Sequence, residues 1–120
     1  MVVIDCADPL RLAEFWAGAT GYSMQDSDER WAWILDPAGS GIEIGFQRVP
    51  EPKSGKNRVH LDLHSSDEEA EAERIEALGA TRLRRSEDPD DIFIVLADPE
   101  GNEFCIVREA RASDGSSSTR

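Results

Sequence analysis

The sequence predicts an α+β fold of two β-α-β-β-β modules, their strands pairing into a curved mixed sheet with the helices on its outer face. Three observations predict it. Val2-Val3-Ile4-Asp5-Cys6-Ala7-Asp8-Pro9 opens a stretch that ends at Gly21, and Val59-His60-Leu61-Asp62-Leu63-His64-Ser65-Ser66-Asp67 opens a similar one that ends at Gly79. Each half then carries an apolar pair and an Asp-Pro-x-Gly turn, at Ile34–Gly39 and at Leu96–Gly101. Asp8 and Asp67 lie 59 positions apart, and Asp36 and Asp98 lie 62 apart. Two copies at that spacing are not a stacked array; they are one supersecondary unit used twice.

Residues 2–6 are β-branched and apolar and read as a strand. Asp8 and Pro9 mark a helix start, as N-cap and first helical residue. Leu12, Phe15, Trp16 and Ala19 then fall on one helical stripe, and Gly18 and Gly21 flank its end. Trp31, Trp33 and Leu35 alternate along a second strand, and residues 42–46 form a third. Residues 49–57, with their Pro, Gly and Lys content, read as a linker. The second module alternates over 58–64, with Val59, Leu61 and Leu63 on one face and His60, Asp62 and His64 on the other. Ser66 and Glu69 have capping-box spacing, and the helix they open stops near Gly79. A weak strand over 81–85, a stronger one over 92–96 and a last one over 104–107 complete it. The expected boundaries are module one at 1–48, the linker, and module two at 58–110, all one domain, with 111–120 a Ser-rich disordered tail.

At 120 residues, the chain is long enough to bury a core without staples. Its formal net charge of -12 argues against nucleic acid and against an anionic membrane surface as partners. No apolar run reaches membrane-spanning length, and the start has no basic region of a signal peptide, so a cytoplasmic location is expected. Cys6 and Cys105 both sit in strand-like runs and make no disulfide framework.

The doubled plan, with Lys56-Asn57-Arg58-Val59-His60-Leu61-Asp62-Leu63 and Asp98-Pro99-Glu100-Gly101-Asn102-Glu103-Phe104, resembles the vicinal oxygen chelate superfamily. That group includes glyoxalase I, extradiol dioxygenases and the fosfomycin and bleomycin resistance proteins. The two segments look most like its small glyoxalase-like domain proteins. The resemblance covers about residues 1–109 and implies a small organic ligand or substrate and a homodimer.

It also implies a place for a divalent metal (Zn, Ni, Mn or Fe). Metal-using members carry one ligand on the first and one on the last strand of each module. The first-strand ligand lies seven residues before the helix-start aspartate, and the last-strand ligand seven after the turn aspartate. The carried-over positions are Met1, Glu43, His60 and Cys105. His60 and Glu43 are usual ligand types, Met1 is poor for a hard cation, and Cys105 is read as a packed thiol ahead of a thiolate ligand for zinc. The expectation is therefore a glyoxalase-like enzyme or ligand-binding protein with a degenerate or absent metal site, so no cofactor is certain. The alternatives are a metal-dependent lyase, isomerase or dioxygenase using His60 and Glu43, and a drug-sequestering binding protein.

His64 and Asp62, on the His60 face, are the candidate proton-transfer groups. Asp5 is the first-half counterpart of His64. It joins Trp31, Trp33 and Cys105 as a candidate pocket residue, the tryptophans suiting a flat or cationic ligand. Each has an ordinary reading beside the functional one: a solvated face for the acids and histidines, and core packing near Trp16 for the tryptophans. The acidic run Glu68, Glu69, Glu71 and Glu73 reads as a solvated helix face. Arg82, Arg84 and Arg85 are too isolated to signal nucleic acid.

Overall fold

The computed structural model of the chain describes residues 1–109; the expected tail at 111–120 lies outside them. The order is β1 (Val2–Cys6), α1 (Pro9–Thr20), β2 (Ser23–Met24), β3 (Trp31–Leu35), β4 (Ile44–Arg48), β5 (Asp62–Ser65), α2 (Glu68–Leu78), β6 (Thr81–Arg85), β7 (Phe93–Ala97) and β8 (Glu103–Arg108). The chain divides into two compact units. Unit one is Met1–Gly55 with the turn Pro99–Gly101, and unit two is Lys56–Asp98 with the chain from Asn102 onward. Each unit holds one four-stranded sheet, ordered β1-β4-β3-β2 in the first and β5-β8-β7-β6 in the second. In each, the first strand runs parallel to the last and the hairpin strands pair antiparallel, which is the expected β-α-β-β-β plan.

In unit one, Asp8 caps α1 by accepting the Arg11 N–H at 3.2 Å, with Pro9 in the first turn. Gly21 ends the helix in the left-handed region at φ 79°, which only glycine adopts at no cost. Leu12, Ala13, Phe15, Trp16 and Ala19 are buried. Phe15 and Trp16 meet edge to face at 5.3 Å, and each large apolar side chain removed from water contributes about 2 kcal/mol. Glu100, on the turn belonging to this unit, accepts the N–H groups of Ala7 and Asp8 at 2.7 and 2.8 Å. Strand β2 was not anticipated: it is two exposed residues with no apolar period.

In unit two, the N-cap of α2 is Asp67, which accepts the Ala70 N–H at 3.1 Å, so the expected Ser66 box is displaced by one residue. Ser65 instead accepts the Asp67 N–H. Glu68 corrects the solvated-face reading, for its side chain is 5% exposed. The Arg108 fork grips it at 2.7 and 2.8 Å and Arg85 adds a bond at 3.0 Å. These bonds, Arg108 first, hold its carboxyl down at about 2. Such a buried charge is tolerated because both oxygens are matched by guanidinium donors. Glu69 and Glu76 pair with Arg82, and Glu69 also with Arg85, so these arginines tie α2 to β6.

Two strands start later than expected. Strand β5 begins at Asp62 rather than near residue 58, and Val59 is exposed. The Asn57 side chain accepts the Glu103 N–H at 2.8 Å and donates to its carbonyl at 3.1 Å, taking both bonds a strand neighbour would use. Strand β4 begins at Ile44 because the preceding loop runs on through Gly39 and Gly41, both at positive φ.

Candidate metal and ligand site

Strand pairing decides which side chains share a face. In unit two, Asp62 pairs with Cys105, which pairs with Val95. His64, Val107 and Phe93 form the next such row. Leu63, Ile106 and Ile94 lie between these rows and face α2; Ile106 and Ile94 are fully buried. The face away from α2 thus carries Asp62, His64 and Cys105, with an apolar patch of Val95, Cys105 and Val107 backed by Phe93.

His60 lies just before β5, and its Nε2 stands 3.4 Å from an oxygen of Asp62. A ring nitrogen of His60, a carboxylate oxygen of Asp62 and the sulfur of Cys105 all lie within 4.8 Å of one another. The Cys105 side belongs to the sheet interior, while His60 is 41% exposed, so the group spans from core to surface. His60 and Cys105 also line a cavity of about 100 Å³ whose apolar wall is Phe93, Val95 and Phe104. Its charged members are Lys56, Arg84 and Glu103.

Register shows why the donors gather in one unit. Eleven residues separate Trp33 from its partner Gly45, but nine separate Val95 from its partner Cys105. Counting from the two Asp-Pro-x-Gly turns therefore sets Glu43 against Cys105, whereas the strands set Gly45 against Cys105 and Glu43 against Glu103. Val3 pairs with Gly45 as Asp62 pairs with Cys105. Unit one thus has Met1, Val3 and Gly45 where unit two has His60, Asp62 and Cys105. Glu43 is exposed ahead of β4. It does not stand in for Cys105, because the longer hairpin moves it two residues off.

The remaining pocket candidates lie in unit one. Ala32 and Ile34 are fully buried on the α1 face of β3, so Trp31 and Trp33 point the other way and are half-buried. Packing of these two against the helix is thereby replaced by exposure on the opposite face. A Cβ on Gly45 would lie 2.3 Å from the far edge of the Trp31 ring, so that indole lies over the glycine. Asp28 accepts the N–H groups of Arg30 and Trp31 and fixes the start of this strand. These backbone bonds, Arg30 first, hold its carboxyl below the ordinary value. Asp5 is exposed on β1 and pairs with Gln47.

Sequence reasoning passed over Lys56, Arg84 and Glu103. Lys56 and Glu103 lay inside the segments that carried the resemblance, and Arg84 lay in a basic cluster dismissed as a whole. Asp98, in the same signature, accepts the Asn102 N–H at 2.9 Å and shapes the turn into β8.

A family model described as "Glyoxalase-like domain" matches residues 1–107. No curated protein matches the chain significantly. Among solved structures, a glyoxalase/bleomycin resistance protein/dioxygenase family enzyme from Burkholderia phytofirmans PsJN is similar. Its TM-score is 0.71 at 23% identity, over 89% of this chain and 94% of that one. A genomically encoded fosfomycin resistance protein, FosX, from Listeria monocytogenes has a TM-score of 0.72 at 16% identity, over 91% and 90% of the two chains. A variant of that Listeria protein, complexed with Mn(II) and 1S,2S-dihydroxypropylphosphonic acid, has a TM-score of 0.72 at 15% identity, over 88% and 85%. At these identities the likeness is one of fold.

Proposed function

This chain belongs to the glyoxalase-like domain family, and from that premise we propose that it is a small-molecule enzyme whose second unit holds a divalent metal on His60, Asp62 and Cys105. The observation that carries the reading is the convergence of those three donor atoms within 4.8 Å. The donor set fits a metal: imidazole nitrogen, carboxylate oxygen and thiolate sulfur together suit a borderline-soft ion, and Zn²⁺ above Mn²⁺. Three protein donors leave a coordination position open, the arrangement of a catalytic rather than a structural site. The Mn(II) complex of the Listeria protein supports metal use within this fold.

When bound, the ion supplies Lewis acidity toward a developing oxyanion. The chain's own residues do the rest. Phe93, Val95 and Phe104 exclude water from one side of the cavity. His64, two residues beyond Asp62 on the same face, is exposed and stands between the site and solvent, the place for a proton-relaying side chain. One domain of two modules, a cytoplasmic location and a homodimer belong to the same proposal, on the support of the resemblance and the acidic composition.

Metal analysis of protein purified without chelator tests the reading. About one equivalent of zinc per chain is expected. Less than about a tenth of an equivalent of any first-row metal, with no uptake of Zn²⁺, Ni²⁺, Mn²⁺ or Fe²⁺, would overturn it.

A second reading is a metal-free pocket that sequesters a planar or cationic compound. It is favoured by Trp31 and Trp33, half-buried on the face away from α1. Quenching of tryptophan emission by cationic aromatics is its expected sign, and unchanged emission and melting temperature would dismiss it.

A further inference from the structure

Arg82, Arg84 and Arg85 follow one another on β6, yet they serve opposite faces of the sheet. Arg82 pairs across the ladder with Leu96 and Arg85 with Ile94, and both reach the carboxylates of α2 at 2.7–3.2 Å. In an unbroken strand Arg84 would share the Arg82 face, two residues on. The ladder is not unbroken: the register shifts between Arg82 and Arg84, leaving Leu83 as the extra residue, and Arg84 pairs with Val95. A β-bulge of this kind re-aims a side chain. Here it turns Arg84 to the face of Val95 and Cys105, where it lines the cavity with Lys56.

Both cations stand 3.8 Å from one carboxylate, that of Glu103. This is the outer reach of an ion pair, and among the described residues neither side chain has a hydrogen-bond partner. Arg82, Arg85 and Arg108, by contrast, are each hydrogen-bonded to a carboxylate. In a chain with 25 acidic and 13 basic residues, the cavity beside the metal donors is lined by two cations that share the single carboxylate of Glu103.

We propose that Lys56 and Arg84 form an anion subsite, and that the substrate is a small organic acid: a carboxylate or like oxyanion on a short apolar body. The guanidinium offers paired N–H donors to such a head group and the ammonium a mobile charge. The body lies on Phe93, Val95 and Phe104. A volume of about 100 Å³ is smaller than the sealed apolar cavity of about 150 Å³ that admits benzene, so the body is a short branched chain rather than a ring. The inference deepens the enzyme reading above, because it places the anion beside His60 and Cys105.

The test is titration of ¹⁵N-labelled protein with 3-methylbutanoate and with its isosteric opposite, 3-methylbutylammonium, before and after chelator treatment. Shifts at the amides of 93–95 and 103–105 are expected with the acid alone, with and without chelator. Lys56→Gln and Arg84→Gln, at side chains 63% and 59% exposed, keep the fold and each weaken acid binding about tenfold. Glu103→Gln strengthens it. Acid binding that vanishes with chelator and ignores both substitutions would put the anion on the metal, overturning the subsite and leaving the metal reading intact. Equal response to acid and amine, or none to either, would also overturn it. Persistent acid binding by a chain that takes up no metal would uphold the subsite while the metal reading fails.

Discussion

Asn57 clasps Glu103 through both ends of its amide, accepting its N–H at 2.8 Å and donating to its carbonyl at 3.1 Å. The side chain thus replaces one rung of the β5–β8 ladder and lets residues 58–60 leave the sheet, which the chain rejoins where the Leu61 carbonyl accepts the Cys105 N–H at 2.9 Å. That departure brings His60 beside Asp62 instead of leaving it in line along the strand. Asn57→Ala should cost about 2 kcal/mol for two part-buried hydrogen bonds. Urea denaturation reads that cost, and metal titration should show weaker binding because His60 loses its anchor. Full metal affinity in a destabilised variant would separate the clasp from the site.

Asp62 and Glu43 make opposite predictions. Asp62→Ala should lower Zn²⁺ affinity by about tenfold or more, as loss of a carboxylate donor does. Glu43→Ala should leave it within about twofold, since strand register sets Glu43 against Glu103. Competition with a chromogenic chelator measures both. The reverse order would restore the ligand set obtained by counting from the turns.

Cys105 sets the metal's spectroscopic signature. The Co²⁺-substituted protein should show thiolate-to-cobalt charge-transfer absorption in the near ultraviolet, and Cys105→Ser should abolish it. Cys6 lies in unit one and is buried, so Cys6→Ser should leave the band unchanged.

Glu68 makes stability depend on acid. Its carboxyl lies at about 2 in the folded chain against an ordinary 4.5. The folded value is depressed, so its stabilisation is fully present above pH 4.5 and is lost as the pH falls through about 2. Glu68→Gln should lower stability at neutral pH by on the order of 2 kcal/mol and flatten the loss across that window. Chemical denaturation at a series of pH values reads both effects.

Gly45→Ala should displace the Trp31 ring, which lies 2.3 Å from the position of the added methyl group. The expected cost is about 1–3 kcal/mol of overpacking, with a red shift in tryptophan emission as the indole moves toward water. An unchanged spectrum would show that the ring has room to yield.

Much of the fold was legible because its signals are local. Asp8 with Pro9, the stripe from Leu12 to Ala19 and the two Asp-Pro-x-Gly turns each act within a few residues. The boundaries that moved, at Ile44 and Asp62, moved for reasons local pattern cannot hold: a longer glycine loop and an asparagine bonded to a strand 46 residues away. Glu68 was misread because Arg108, the partner that makes its burial affordable, lies 40 residues further on. His60, Asp62, His64 and Cys105 were all singled out from sequence, but as scattered candidates. Asp62 was assigned to proton transfer rather than grouped with His60 and Cys105.

By itself, the sequence determined the repeat, the two modules and the residue types available for chemistry, because periodicity and turn residues encode local geometry. Only the tertiary structure decided where the donors meet. A two-residue difference in hairpin length, invisible as a change of pattern, slides Glu43 off the Cys105 position and leaves Gly45 under the Trp31 ring. A single bulge at Leu83 likewise turns Arg84 from the helix side to the cavity. In a strand of period two, one inserted residue changes the face of everything beyond it, and that choice is made by the pairing partner.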